Sequence, residues 1–158
     1  MLVNNAGIAL DWASPSQIDL DVLRQTYETN VFGVFNVTAA LVPLLKKSPA
    51  ARIVNVSSTL GSLAMNSDPN SQYAEYKSLA YNSSKAALNM MTILFAAEFQ
   101  DTPFKVNAVC PGYVATDLTQ HRGTRTVAQG ATAPVRLATL PADGPTGGFF
   151  DEAGVVPW

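Results

Sequence analysis

The stretch "ARIVNVSS" (51–58) holds Ile53, Val54 and Val56 in one apolar, β-branched run. It lacks the strict apolar–polar alternation of a half-exposed strand, so it reads as a strand covered on both faces, as in a parallel sheet. Working outward, "FKVNAVC" (104–110) repeats the pattern and is broken by "PG" (111–112). "MLVNNAG" (1–7) reads as the end of another buried strand, and "GGFF" (147–150) as the start of a last one. Between them, residues 16–29 show helical periodicity after a Ser16/Asp19 cap, and 30–47 continue as a helix with Pro43 near its end. That second segment is apolar almost all round and is expected to be buried. Residues 59–77 read as a loop with "NSDPNSQ" at its polar centre. A long helix follows from Ser78 to Gln100, with Ala86, Ala87, Met90, Met91, Leu94 and Phe95 at helical spacing. "TVAQ" (126–129) has the form of a capping box opening a short helix. Strand and helix alternate throughout, which predicts an α/β fold with a parallel sheet and right-handed crossovers. With no internal repeat and no linker, residues 1–158 are read as one domain.

Composition narrows the function. Apolar residues make up 47% and charged residues 14%, which excludes a disordered chain. A net charge of −2 with scattered basic residues gives no footprint for nucleic acid. One His and one Cys make a conventional zinc site untenable, so no metal is expected. Cys110 lies in an apolar run and reads as a buried thiol. No basic leader is recognised and no stretch reads as a membrane span, so a soluble, cytoplasmic protein is expected.

The segment "YAEYKSLAYNSSK" (73–85) contains Tyr-x-x-x-Lys twice, as Tyr73–Lys77 and Tyr81–Lys85. On a helix that spacing puts a phenol and an ammonium on one face. Five Tyr and five Lys in 158 positions predict only ~0.16 such pairs by chance. Tyr73 follows a polar loop, whereas Tyr81 opens the long helix, where the spacing has geometric meaning. Tyr81–Lys85 is therefore the pair expected to do chemistry, with Tyr73 and Lys77 outside the cluster.

Four other motifs accompany that pair in order: "NNAG" (4–7), "TNVFG" (29–33), "NVSS" (55–58) and "PGYVAT" (111–116). Together they resemble the short-chain dehydrogenase/reductase family across almost the whole chain. The resemblance implies strands 4–7 of a Rossmann-type, doubly wound parallel sheet with crossover helices. It implies that Tyr81 is the acid/base, Lys85 its partner, Ser58 the hydrogen-bond donor to the substrate oxygen, and Asn30 a support for a water relay to the lysine. Asn4, Ala6 and Gly7 match the segment beside the adenosine half of a nicotinamide cofactor. Pro111, Gly112, Val114 and Thr116 match the segment lining the nicotinamide, which Tyr81 and Lys85 also touch. Gly33 is read as a close-packing residue between helices. A free phenol ionises near 10, too high for reversible acid/base work at neutral pH, and Lys85 with the oxidised nicotinamide is expected to lower it.

The family's Thr-Gly-x-x-x-Gly-x-Gly phosphate turn, expected well before "NNAG", has no counterpart here. The chain reads as starting at the family's fourth strand, hence as a truncated domain whose first strand becomes an apolar edge prone to association. Twenty-two residues separate Ser58 from Tyr81, and with the ending "PTGGFFDEAGVVPW" (145–158) this looks like the carbonyl-reductase-like members. Those imply NADP(H) in preference to NAD(H), and a small carbonyl or alcohol substrate. The insert "GSLAMNSDPNSQYAEYKSLA" (61–80) is expected either to border the substrate pocket or to be a solvated surface loop. The alternatives are a non-catalytic fold relative and a fragment without independent activity; in either reading the chain alone reduces carbonyls poorly.

Overall fold

The computed structural model describes residues 1–158 and centres on a parallel sheet in the order β1-β2-β3-β4. The strands are β1 (Leu2–Asn4), β2 (Arg52–Val56), β3 (Lys105–Val109) and β4 (Phe149–Phe150). The register pairs Leu2 with Ile53, Ile53 with Val106, and Ala108 with Phe149. Alternate residues of each strand point to opposite faces. Both faces are apolar, which explains why "ARIVNVSS" does not alternate.

One face packs under α1 (Leu20–Tyr27), α2 (Val34–Leu45) and α4 (Leu79–Glu98). There Ile53 and Val106 meet Leu45, Ala96, Phe99 and Phe104, with Leu2 at the margin. The other face carries α5 (Val127–Ala138), whose Ala133 and Leu137 pack on Val54 and Val109. The fold is thus doubly wound. The last crossover, β3-α5-β4, steps in the same direction as the first two but passes over the opposite face. Its hand is therefore opposite to theirs, which corrects the expectation of one hand throughout.

Residues 20–45 form one continuous helix, with α1 and α2 joined by a π-turn over Glu28–Gly33. Asp19 supplies the cap, its carboxylate accepting from Asp21 N at 2.8 Å, while Ser16 lies in a separate 3-10 turn. This helix is long and apolar enough to cross a membrane by length and composition, contrary to the sequence reading, which divided it at residue 30. Its buried inner face carries Thr26, Asn30 and Thr38, and it packs as a helix of the α/β layer. Nor is it buried all round, as expected: Phe32 and Phe35 are each 50% exposed and Leu44 63%. Only the face turned toward the sheet and α4 is covered, so apolar composition alone misjudged its surroundings.

The connection after β2 is more ordered than a loop. A 3-10 turn spans Thr59–Gly61, and Ser62 caps a short helix, α3 (Leu63–Ser67), by accepting from Met65 N. Ala64 N donates to Trp158 O at 2.9 Å, and the Trp158 ring stacks on Phe149. The insert and the C-terminal tail, distant in sequence, are therefore docked to each other. The "TVAQ" capping box forms as read: Thr126 Oγ1 accepts from Gln129 N, and Gln129 Oε1 accepts from Thr126 N.

Arg52 ties the second face together. Its guanidinium, 4% exposed, donates to the carbonyls of Leu140, Pro141, Pro103 and Ala51 at 2.7–3.1 Å. It holds the chain leaving α5 against the start of β2 and β3. Arg52→Met should cost about 2–4 kcal/mol in urea unfolding, because it strands buried carbonyls with no donor. A loss below 0.5 kcal/mol would show that this clamp adds nothing.

Candidate active site

The catalytic candidates gather at the carboxyl ends of β1 and β2, under the N-terminal half of α4. Lys85 is buried on the inner face of α4, and its Nζ donates to Val56 O at 2.8 Å, at the last residue of β2. Two residues on, Ser58 lies near enough to the Tyr81 phenol to favour its ionised form, while its Oγ accepts from Leu60 N at 3.2 Å. Lys85 Nζ sits over the Tyr81 ring, 5.7 Å from its centroid. Asn30, fully buried in the π-turn, accepts from Ile8 N at 2.8 Å and donates to Ile8 O at 2.9 Å and to Ser84 Oγ at 3.0 Å. Such turns inside helices recur at functional sites, because they re-aim one residue without ending the helix. The structure thus brings Asn30, Ser58, Tyr81 and Lys85 together.

Two glycines make this approach possible. A Cβ on Gly61 would lie 2.7 Å from the Lys85 carbonyl carbon and Cβ, so α4 can meet the turn after β2 only at a glycine. A Cβ on Gly7 would lie 3.2 Å from Lys85 Nζ and 3.5 Å from Asn30 Oδ1. Gly7, assigned by resemblance to the cofactor's adenosine side, is packed against the lysine. Gly33 does not separate two helices: its nearest constraint is the Glu28 carbonyl within the same π-turn, a correction to the packing role read for it.

The remaining assigned residues divide into two groups. Asn4 turns its side chain under the helices, where its Nδ2 donates to Asn55 Oδ1 and Thr38 Oγ1. Ala6 follows in the irregular segment after β1. Pro111 and Gly112 form the turn after β3, with Gly112 at φ 79° in the left-handed region that favours glycine. Val114 is buried and wedged against Gly130 of α5, and Thr116 caps the short turn Asp117–Thr119. Beside Pro111 and Gly112 lies a cleft of about 330 Å³ also lined by Thr59, Tyr73, Cys110 and Arg125. Tyr73 stands in a wall of this neighbouring cleft, whose lining includes none of Asn30, Ser58, Tyr81 and Lys85. Lys77 is exposed, and its Nζ donates to Asn66 O.

Three contributors were not recognised from sequence. Asn89, one helical turn after Lys85, accepts from Ser57 Oγ at 2.6 Å and donates to Gly61 O. Its i,i+4 spacing from Lys85 was a legible signal. Gly61 had no local signal. Asp11 caps α4 from outside the helix, and nothing in its neighbourhood points to a partner near residue 80.

Burial dominates the electrostatics. It pushes the Tyr81 phenol from 10.0 up to about 12, while the hydrogen bond from Ser58 pulls it down and Cys110 adds to the rise. Burial draws Lys85 from 10.5 down to about 8, opposed by Cys110. In the cofactor-free site, loss of hydration outweighs the lowering influence on the phenol. At neutral pH the site therefore presents a protonated phenol beside a mostly charged ammonium.

The profile of the family described as short chain dehydrogenase matches residues 1–126. Among relatives, (-)-isopiperitenone reductase of Mentha piperita is 38% identical over 77% of this chain and 49% of its own length. Carbonyl reductase [NADPH] 1 of Rattus norvegicus is 30% identical over the whole chain and 69% of its own length. The C-signal protein of Myxococcus xanthus is 31% identical over the whole chain and 92% of its own length. The NADPH-bound carbonyl reductase from chicken fatty liver superposes with a TM-score of 0.85 at 29% identity, covering 99% of this chain and 65% of that one. The chain thus spans from half to two thirds of the reductases it matches.

The Lys85 shift has a measurable sign. Because its folded value is depressed, the unfolded chain holds one more proton between about pH 8 and 10.5. Stability should rise with pH through that window. Wild type is expected to gain about 1–3 kcal/mol relative to Lys85→Met across it in urea titrations. A constant difference between the two proteins would show that Lys85 is not desolvated.

Proposed function

The chain belongs to the short-chain dehydrogenase family, and we propose that it carries the catalytic residues of an oxidoreductase that moves a hydride between NADP(H) and a carbonyl or alcohol carbon. The observation that carries the reading is the convergence of Tyr81, Ser58, Lys85 and Asn30 from three separate parts of the chain. A core serving only as a scaffold would not need to bury an ammonium with a single hydrogen-bond partner.

A nicotinamide cofactor fits the donors present. Lys85 has three N–H donors and spends one on Val56 O, so two remain for hydroxyl groups. The Pro111–Thr116 turn, with its left-handed Gly112, supplies backbone for the nicotinamide end. The cofactor supplies the hydride when bound. Tyr81 O–H gives its proton to the oxygen that gains charge in reduction, and takes it back in oxidation. Ser58 Oγ donates a second hydrogen bond to that oxygen. Lys85 holds the phenolate that Tyr81 becomes, and Asn30 supports the route by which the proton is replaced. The carbonyl reductases among the relatives support a small ketone or aldehyde as substrate, and NADP(H) over NAD(H). The free, buried Cys110 suits a reducing, cytoplasmic setting.

A second reading has its own support. The match to 92% of the C-signal protein shows a relative of nearly this length with a name that is not a reductase's. In that reading the chain is a non-catalytic relative that keeps the tetrad as inheritance.

Reduction of cyclic and aromatic ketones with NADPH separates the two. The chain alone should be slow, since much of the rate depends on holding the nicotinamide against the carbonyl. The ratio between variants does not depend on that absolute rate. Tyr81→Phe should lower turnover about 10²–10⁴-fold, and Tyr73→Phe less than tenfold. Equal losses would mean that the acid is misassigned. No turnover and no NADPH-dependent fluorescence change would favour the second reading.

A further inference from the structure

We propose that Asp11 is the positioning residue for the Tyr81 phenol; this rests on the reading of Tyr81 as proton donor. Helix α4 starts at Leu79, and Ser78 occupies its cap position without capping it. Instead the Ser78 hydroxyl donates to Asp11 Oδ1 at 2.5 Å. Asp11 Oδ2 accepts from Ala80 N at 2.8 Å, and Oδ1 from Tyr81 N at 3.4 Å. The carboxylate is 3% exposed and forms no ion pair. Burying it is costly, and the positive end of α4 together with three donors offsets that cost. A serine at the cap would satisfy the same N–H groups with far less desolvation. What the distant carboxylate adds is a tether between the backbone of Tyr81 and the segment leaving β1.

That segment touches the rest of the site as well. Gly7 abuts Lys85 Nζ, and both backbone groups of Ile8 bond Asn30. Gly7–Asp11 therefore sets the relative positions of the phenol, the ammonium and the amide. Tyr81 is the third residue of α4, in the turn that frays first when a cap is lost. Without Asp11, water reaches the phenol and its position relative to Ser58 is no longer held.

The phenol itself reports this. The titratable groups facing it are Lys85 on α4 and Cys110 at the end of β3, and both are retained in the variants below. With tyrosine labelled by carbon-13 at the ζ position, each of the five phenols is followed by NMR up to pH 11, Tyr81 being assigned by Tyr81→Phe. Wild-type Tyr81 should stay protonated. In Asp11→Ala its midpoint should fall by at least one pH unit while the other tyrosines keep theirs. Asp11→Asn, which retains an acceptor for Ala80 N, should restore more than half of the shift. An unchanged Tyr81 midpoint in folded Asp11→Ala overturns the proposal. If Asp11→Ala does not fold, Asp11→Asn and Ser78→Ala should each give a smaller shift in the same direction, and no shift in either overturns it. The titration does not depend on turnover, so a Tyr81→Phe variant that reduces ketones normally would refute the functional reading and leave this result standing.

Discussion

The Asn55 amide lies fully buried in the middle of β2, accepting from Asn4 on β1 and donating to Thr92 on α4. Thr92 in turn donates to Leu88 O within α4. This line of hydrogen bonds runs across the face where apolar packing alone would let α4 slide along the sheet. Buried polar groups must find partners at particular distances, so the ladder fixes the register of α4 on β1 and β2. Asn89 repeats the arrangement one layer up by engaging Ser57 and Gly61. Once that register is set, Lys85 reaches Val56 O and Tyr81 comes to face Ser58. The apolar cluster around Ile53, Val106 and Phe99 supplies most of the burial energy, but it does not by itself choose where α4 stops.

The chemistry follows from how little water that register leaves. A phenol at about 12 and an ammonium at about 8 are the two consequences of the same desolvation. At neutral pH they leave the phenol protonated and the ammonium mostly charged. Ser58 opposes the effect at Tyr81. The steric freedom of Gly7 and Gly61 lets these groups approach without a side chain between them.

The insert between β2 and α4 and the C-terminal tail are coupled beside the site. Ala64 bonds Trp158, Trp158 stacks on Phe149, and Tyr73 reaches the cleft beside Gly112. The cleft's other wall comes from Arg125, whose side chain fills the space a Cβ on Gly112 would need and pairs with Glu152. The two segments noted as carbonyl-reductase-like thus meet on one side of the site.

Much of this was legible in the residues. Uninterrupted β-branched runs identify parallel strands because a sheet covered on both faces excludes alternation, and "TVAQ" identifies a helix start because a capping box is satisfied within four residues. That Tyr81 and Lys85 share one face of α4 was likewise legible from their local spacing. Properties set by partners distant in sequence were not legible. Apolar composition could not tell that Phe32 and Phe35 face outward, nor that α5 crosses the opposite face and reverses the hand of the last crossover. Gly7 and Gly33 carry no side chain whose chemistry could report what they pack against. Asp11 acts 67 residues from Ser78, and no periodicity spans that gap. The sequence by itself determined which residue types were available and which local elements they form, since those depend on neighbours within a few positions. Only the tertiary structure decided which groups are stripped of water and which meet across the chain, because desolvation and long-range hydrogen bonds exist only once the elements are packed.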